Sequence, residues 1–221
     1  MKIVLCLLTL SVCGFSQAVP TASFDAPNLV PSVVTYKGKA ATRLVEKGGP
    51  GGPLGTNGNG GLALLKGPAF HNGTIELNVA GQPASGSPEA ARGFVGIAFR
   101  VQASGGKMEV IYLRPTNGRA DDQLRRNHSV QYESEPDWPW SRLRDETPGV
   151  YESYVDLEGG GWAKYRIVVK GTRAELYVNG ATQPCLIVKD LKLGDVSGGI
   201  ALWIGPGTES WFADLEVTRE P

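Results

Sequence analysis

The sequence predicts an all-β fold, a sandwich or a barrel, on three observations. Apolar residues recur at every second position in short segments, and glycine (30) and proline (15) punctuate them across 221 residues. No long stretch carries the three-to-four-residue apolar spacing of a helix. Lys+Arg and Asp+Glu both number 22. With no net charge, no bulk field favours nucleic acid or an anionic membrane surface.

The chain opens MKIVLCLLTLSVCGFSQA. Lys2 gives a positive start, Ile3 to Val12 an apolar run too short to span a bilayer, and Ser16 and Ala18 the small residues of a cleavage site. Residues 1–18 therefore read as a signal peptide and residues 19–221 as one exported domain, secreted or periplasmic. Leu10-Ser11-Val12-Cys13 approaches a lipoprotein box, but Val12 is bulky for the position before the cysteine. Removal of the signal leaves Cys185 alone, so no internal disulfide forms and stability rests on the core. Cys185 sits in the apolar run PCLIV and reads as a small buried hydrophobe, not a nucleophile.

Residues 48–61, GGPGGPLGTNGNGG, hold eight glycines in fourteen positions. No Gly-Lys-Ser/Thr comes after it, so the segment reads as a surface loop and not as a phosphate cradle. Beyond it the strands come in order. Thr74 to Val79 places Ile75, Leu77 and Val79 on one face. Phe94 to Val101 places Val95, Ile97, Phe99 and Val101 on one face and Gly96, Ala98 and Arg100 on the other. Met108 to Arg114 is a third strand and Asn127 to Glu133 a fourth. Lys164 to Lys170 turns inward Tyr165, Ile167 and Val169. Gly171-Thr172 reverses the chain, and Ala174, Leu176 and Val178 give the next inward face before the turn signal Asn179-Gly180. Ile200 to Ile204 and Trp211 to Thr218 complete the pattern. Small residues at Gly96, Ala98 and Ala201 read either as a hollow on the outer face of a sheet, with Arg100 and Trp203 projecting into it, or as a solvated outer face with one exposed tryptophan.

The C-terminal third, WAKYRIVVKGTRAELYVNG and VKDLKLGDVSGGIALWIGPGTESWFADLEV, resembles the closing strands of concanavalin A-like jelly rolls of the laminin G type. FHNGTIELNVAG at residues 70–81 is similar to the strand that opens such a sandwich. The resemblance covers roughly residues 29–219 and implies a two-sheet antiparallel β-sandwich. It extends to an exported bacterial branch of 3-keto-disaccharide hydrolase-like proteins. The superfamily includes lectins, carbohydrate-binding modules, glucanases, lyases and adhesive modules, so the resemblance implies a fold and leaves function to the site. Jelly rolls of this type sometimes hold calcium near the joined termini, where Asp25 or Asp214 would offer oxygens. No His/Cys/Asp/Glu set has transition-metal spacing.

The block from Tyr112 to about residue 150 carries the chemistry. Arg114, Arg119, Arg125, Arg126, Arg142 and Arg144 fall within it and no lysine does. A solvated face mixes the two residues, so arginine alone points to planar, fixed geometry. Seven acids lie in the same block: Asp121, Asp122, Glu133, Glu135, Asp137, Asp145 and Glu146. One reading is an ion-pair clasp that orders a long loop of a structural or adhesive module. The other is a saccharide site. There Arg100, Arg114, Arg119 and Arg126 fork onto hydroxyls or carboxylates, and Asn117, Asp122, Gln123 and Gln131 complete the hydrogen bonding. Tyr132, Trp138, Trp140 or Trp203 stacks on a ring. With acids matching arginines, a neutral or weakly acidic sugar fits better than a strong anion. If the site is catalytic, as in a glycoside hydrolase or keto-sugar-processing enzyme, His128 acts as acid or base with Asp122 or Glu133. Glu133, Glu135 and Asp137 have the alternate spacing of paired carboxylates. Pro136 interrupts them, so the triplet is expected in a loop.

Overall fold

The computed structural model describes residues 16–50, 60–103 and 106–220. Most of the expected signal peptide and residues 51–59 of the glycine-rich loop lie outside the described residues. Among the described residues, fourteen strands and two short α-helices succeed one another along the chain. The strands are β1 (Phe24–Asp25), β2 (Leu29–Tyr36), β3 (Lys39–Glu46), β4 (Gly61–Leu65) and β5 (Asn72–Pro83). β6 (Val95–Val101) and β7 (Met108–Leu113) precede helix α1 (Gln123–Asn127). β8 (Val130–Glu135), helix α2 (Trp140–Glu146) and β9 (Glu152–Ser153) come next. β10 (Ala163–Lys170), β11 (Arg173–Val178), β12 (Leu186–Val188), β13 (Gly199–Ile204) and β14 (Thr208–Glu220) close the chain. Among the described residues no helix is long and apolar enough to cross a membrane.

These strands form two seven-stranded antiparallel sheets. One runs β1-β4-β13-β6-β7-β8-β9 and carries the site; the other runs β12-β11-β10-β5-β14-β3-β2. The alternation read from the sequence sets which face meets the partner sheet. Ile75, Leu77 and Val79 from β5, Tyr165, Ile167 and Val169 from β10, and Val95, Ile97 and Phe99 from β6 are all buried in one core cluster. Each large apolar side chain withdrawn from water contributes about 1.5–3 kcal/mol. The Tyr165 hydroxyl crosses the core to donate to the Ile111 carbonyl at 2.6 Å, which ties the sheets together without leaving a buried donor unpaired.

One expected face reverses. Between Ile200 and Gly199 the pairing of β13 with β6 shifts, so Arg100 stands opposite no residue, and its φ is +53°. A bulge residue in the left-handed region re-aims the side chains beyond it. Arg100 therefore turns away from the hollow and Val101 takes the outer face, the opposite of the simple alternation. Fully buried, the Arg100 guanidinium donates to the carbonyls of Gly194, His71 (3.0 Å) and Gly171 (2.7 Å). It binds three loops together and is not among the residues that line the cavity described below.

Candidate functional site

Strand register lays the site out in rows across the first sheet. Trp203 of β13 stands opposite Gly96 of β6, Gly96 opposite Tyr112 of β7, Tyr112 opposite Gln131 of β8, and Gln131 opposite Glu152 of β9. The next row on the same face is Ala201, Ala98, Val110 and Glu133. Gly96 leaves a gap in the first row, and the rings of Trp203 and Tyr112 close over it with centroids 4.6 Å apart. Gly60 makes room on the other side: a Cβ there would stand 2.5 Å from Trp203 Nε1. The expected hollow is present, as a cavity of about 610 Å³. Its walls come from four further pieces: the 88–92 loop, Asn117, Arg125 and His128 around α1, the start of α2 at Pro139–Ser141, and the turn at Pro206–Gly207.

Glu133 and Glu135 both line the cavity. β8 continues through Glu135 instead of stopping at Glu133, and Pro136 ends it. The first two acids of the triplet therefore lie on one strand face, correcting the loop expectation, while Asp137 is exposed and pairs with Lys107 at 3.7 Å. Burial, and then the neighbouring Glu135 charge, push the Glu133 carboxyl up to about 8. The Trp140 N–H, 3.3 Å from Oε2, and the Tyr112 hydroxyl offset this only in part. Glu133 thus keeps its proton at neutral pH.

Behind the opposite wall, Glu152 is almost fully buried. Burial works against its charge, but Arg144 outweighs it with Nε at 2.9 Å and Nη2 at 2.6 Å, and the carboxyl is held below its ordinary range. His128 Nδ1 lies 2.6 Å from the same carboxylate. Even so, burial and the Arg144 and Arg114 charges keep His128 below its ordinary pKa, so the ring is neutral at pH 7. Arg114, itself buried, donates to Tyr112 Oη (3.0 Å), Gln131 Oε1 (3.2 Å) and the His128 carbonyl (3.2 Å). Trp140 is gripped by two guanidiniums, with Arg144 at 4.7 Å and Arg114 at 5.7 Å from its ring. Such cation–π contacts orient the indole without covering it, and Trp140 remains exposed.

Of the residues expected at a site, the structure brings Arg114, Asn117, His128, Glu133, Trp140 and Trp203 to this cavity. Gln131 lies beneath it and positions Arg114. The others fall elsewhere. Tyr132 faces the core, where its hydroxyl donates to Glu109 at 2.7 Å, because the side chains of β8 alternate. Trp138 packs against the core edge under Arg142, 3.7 Å from its ring. Arg119 pairs outward with Asp156 at 2.7 Å, and Arg126 donates to the Ala120 carbonyl. Asp122 caps α1 by accepting from Arg125 N–H at 3.1 Å, and Gln123 is exposed on that helix. His128 stands after α1 as its C-cap and precedes β8, so it shares no strand face with Val130. The arginine block is therefore divided: Arg119, Arg126 and Arg142 clasp loops, and Arg114, Arg125 and Arg144 reach the cavity.

Several lining residues escaped the sequence reading. Phe94 and Tyr112 sit on strands that the alternation already marked, while Glu135 was named in the acid triplet but expected beyond the end of its strand. Arg92 comes from a loop, and Glu152, which stands behind the wall, from a two-residue strand; neither carries a periodic signal. The two residues named for calcium make the following contacts. Asp25 pairs with Lys66 at 3.3 Å, and Asp214 accepts from Gln17 N–H, Asn78 Nδ2 and Ser16 Oγ. Burial lifts the Cys185 thiol to about 11, which suits an inert core-edge residue.

No family model matches the chain, and no curated protein matches it in sequence. Solved structures match it in fold. The carbohydrate binding module CBM66 of Bacillus subtilis is 10% identical, with a TM-score of 0.57 over 87% of this chain and 93% of that one. A Bacillus subtilis protein of unknown function with a galectin-like fold is 9% identical, with a TM-score of 0.54 over 90% and 92%. A structure described as a native glycosidic hydrolase is 13% identical, with a TM-score of 0.50 over 91% and 94%. The likeness is one of fold: the chain is a two-sheet jelly-roll β-sandwich. It adds nothing specific to the 3-keto-disaccharide hydrolase-like branch.

Proposed function

We propose that the cavity over β13, β6, β7 and β8 binds a saccharide, and that the chain is an exported carbohydrate-recognition protein, secreted or periplasmic. One observation carries the reading. Two tryptophans, Trp140 and Trp203, share a single cavity with buried guanidinium, amide and carboxyl groups on a rigid sheet. Sugars need both, flat apolar surface for C–H faces and fixed polar groups for hydroxyls. Carbohydrate names among proteins of the same fold support it. A thermal-shift screen of the purified protein against mono- and oligosaccharides tests it. A ligand at 100 times its dissociation constant adds about 2.7 kcal/mol. Trp140→Ala should abolish the shift while the protein stays folded. A flat screen on folded protein defeats the reading.

A second reading, that the bound sugar is also cleaved, is favoured by the carboxyl pair. Glu133 retains a proton to about pH 8 and Glu135 stands two residues along the same strand face. One acid to protonate a leaving oxygen and one carboxylate beside it are what glycoside cleavage requires. Neutral His128 is a further proton acceptor in the same cavity. Product analysis decides: Glu133→Gln should bind the sugar and release no product, whereas a pure binder leaves the sugar unchanged in both proteins.

A further inference from the structure

The charges around the cavity do not balance. Among the described residues four guanidiniums line it, those of Arg92, Arg114, Arg125 and Arg144, against the two carboxyls Glu133 and Glu135. The other five acids of the arginine block are not among the lining residues. Arg144 is committed to Glu152 behind the wall, and Arg114 is held by Tyr112 and Gln131.

Arg92 and Arg125 differ from these two. The bonds they make within the chain go to neutral oxygens: Arg92 to the carbonyls of Glu89 and Ala91, Arg125 to Asn117 Oδ1 at 3.1 Å. Both are fastened to the same turn at residues 115–117. The Arg92 carbonyl accepts from the Thr116 N–H and hydroxyl, each at 3.3 Å, and Arg125 is tied to Asn117 next along the chain. The turn therefore ties the Arg92 backbone and the Arg125 guanidinium to adjacent residues, Thr116 and Asn117, and both arginines line the cavity. Burial and the charges of Arg125 and Arg114 pull the Arg92 pKa down, and Glu89 opposes them only in part. Like charges held together in this way are relieved by an anion from outside.

We infer that the saccharide of this site is a uronate, with its carboxylate held by Arg92 and Arg125 beside the 115–117 turn. The inference rests on the saccharide reading given above. A planar carboxylate matches guanidinium forks, and the ring that carries it would extend toward Trp140 and Trp203. Glu133 reinforces the preference, because a protonated carboxyl does not repel an anionic sugar.

Matched ligands test it. Binding of galacturonate, glucuronate and mannuronate oligosaccharides of three to five units is measured by calorimetry beside the carboxyl-reduced form of each. At least one uronate should bind tenfold or more tighter than its reduced counterpart, with the advantage shrinking as salt rises. Arg92→Gln with Arg125→Gln should erase that advantage, so that the uronate binds no tighter than its reduced counterpart; a thermal melt reports folding. Equal binding of the two forms overturns the inference and leaves saccharide recognition standing. Binding of sulfated neutral oligosaccharides with no uronate bound overturns the carboxylate assignment. If none of the acidic, reduced and sulfated sugars binds the folded protein, both readings fall.

Discussion

Replacing Glu133 with glutamine should stabilise the protein at neutral pH. The carboxyl moves from an ordinary 4.5 in the unfolded chain to about 8 in the fold, because burial and Glu135 penalise its charge. A raised acid pKa means that the folded state holds a proton the unfolded state releases. Stability is then unaffected below about pH 4.5 and is lost as pH rises toward 8. At about 1.4 kcal/mol per pH unit, the wild type forfeits roughly 2.5 kcal/mol between pH 5 and pH 7, and glutamine forfeits none of it. For a chain of this size that is roughly 5–10 °C in Tm. His128 and the buried Glu109 also titrate abnormally, but they are present in both proteins and cancel in the difference. Thermal melts of the two proteins at pH 5, 6, 7 and 8 read the effect directly. The variant should pull progressively ahead as pH rises. Parallel curves would refute the buried, protonated carboxyl and with it the proton donor of the cleavage reading.

Two further substitutions separate the site from its supports. Arg144→Ala strips the bidentate partner from buried Glu152, leaving Arg114 at 3.9 Å and a His128 that is neutral at pH 7, and should cost about 3 kcal/mol in urea unfolding. Arg100→Met keeps an unbranched, shorter apolar stem but leaves three buried carbonyls without their donor. It should cost about 2–4 kcal/mol while sugar affinity stays within twofold of wild type by calorimetry.

Most of the framework was legible because period-two burial is a strong local signal. Ile75, Leu77 and Val79, Tyr165, Ile167 and Val169, and Ala174, Leu176 and Val178 all lie inward as the alternation required. The hollow was legible too, since Gly96, Ala98 and Ala201 are small on a face where solvated residues would otherwise stand. The alternation failed where the chain ceased to be a regular strand. At Arg100 a single left-handed residue reverses the faces, and arginine carries no local mark for that conformation as glycine would. At His128 a short helix capped by Asp122 occupies positions assigned to a strand, and β8 starts later and ends later than expected.

The site was harder to read for a different reason: composition counts charges without regard to where they point. The arginine block shows near-equal numbers of acids and arginines, which reads as neutral. In the fold that equality dissolves. Asp122 is spent on a helix cap, Asp137 on Lys107 and Glu146 on Arg142, all at the surface. Glu152, from outside the block, takes Arg144. Arg92, which strand periodicity does not mark, joins Arg125 in lining the cavity. The clasp and the site are thus made from the same residues sorted by direction. The acids that would cancel the cavity's guanidiniums are occupied elsewhere, and that division leaves four guanidiniums against two carboxyls around the cavity in a chain whose net charge is zero.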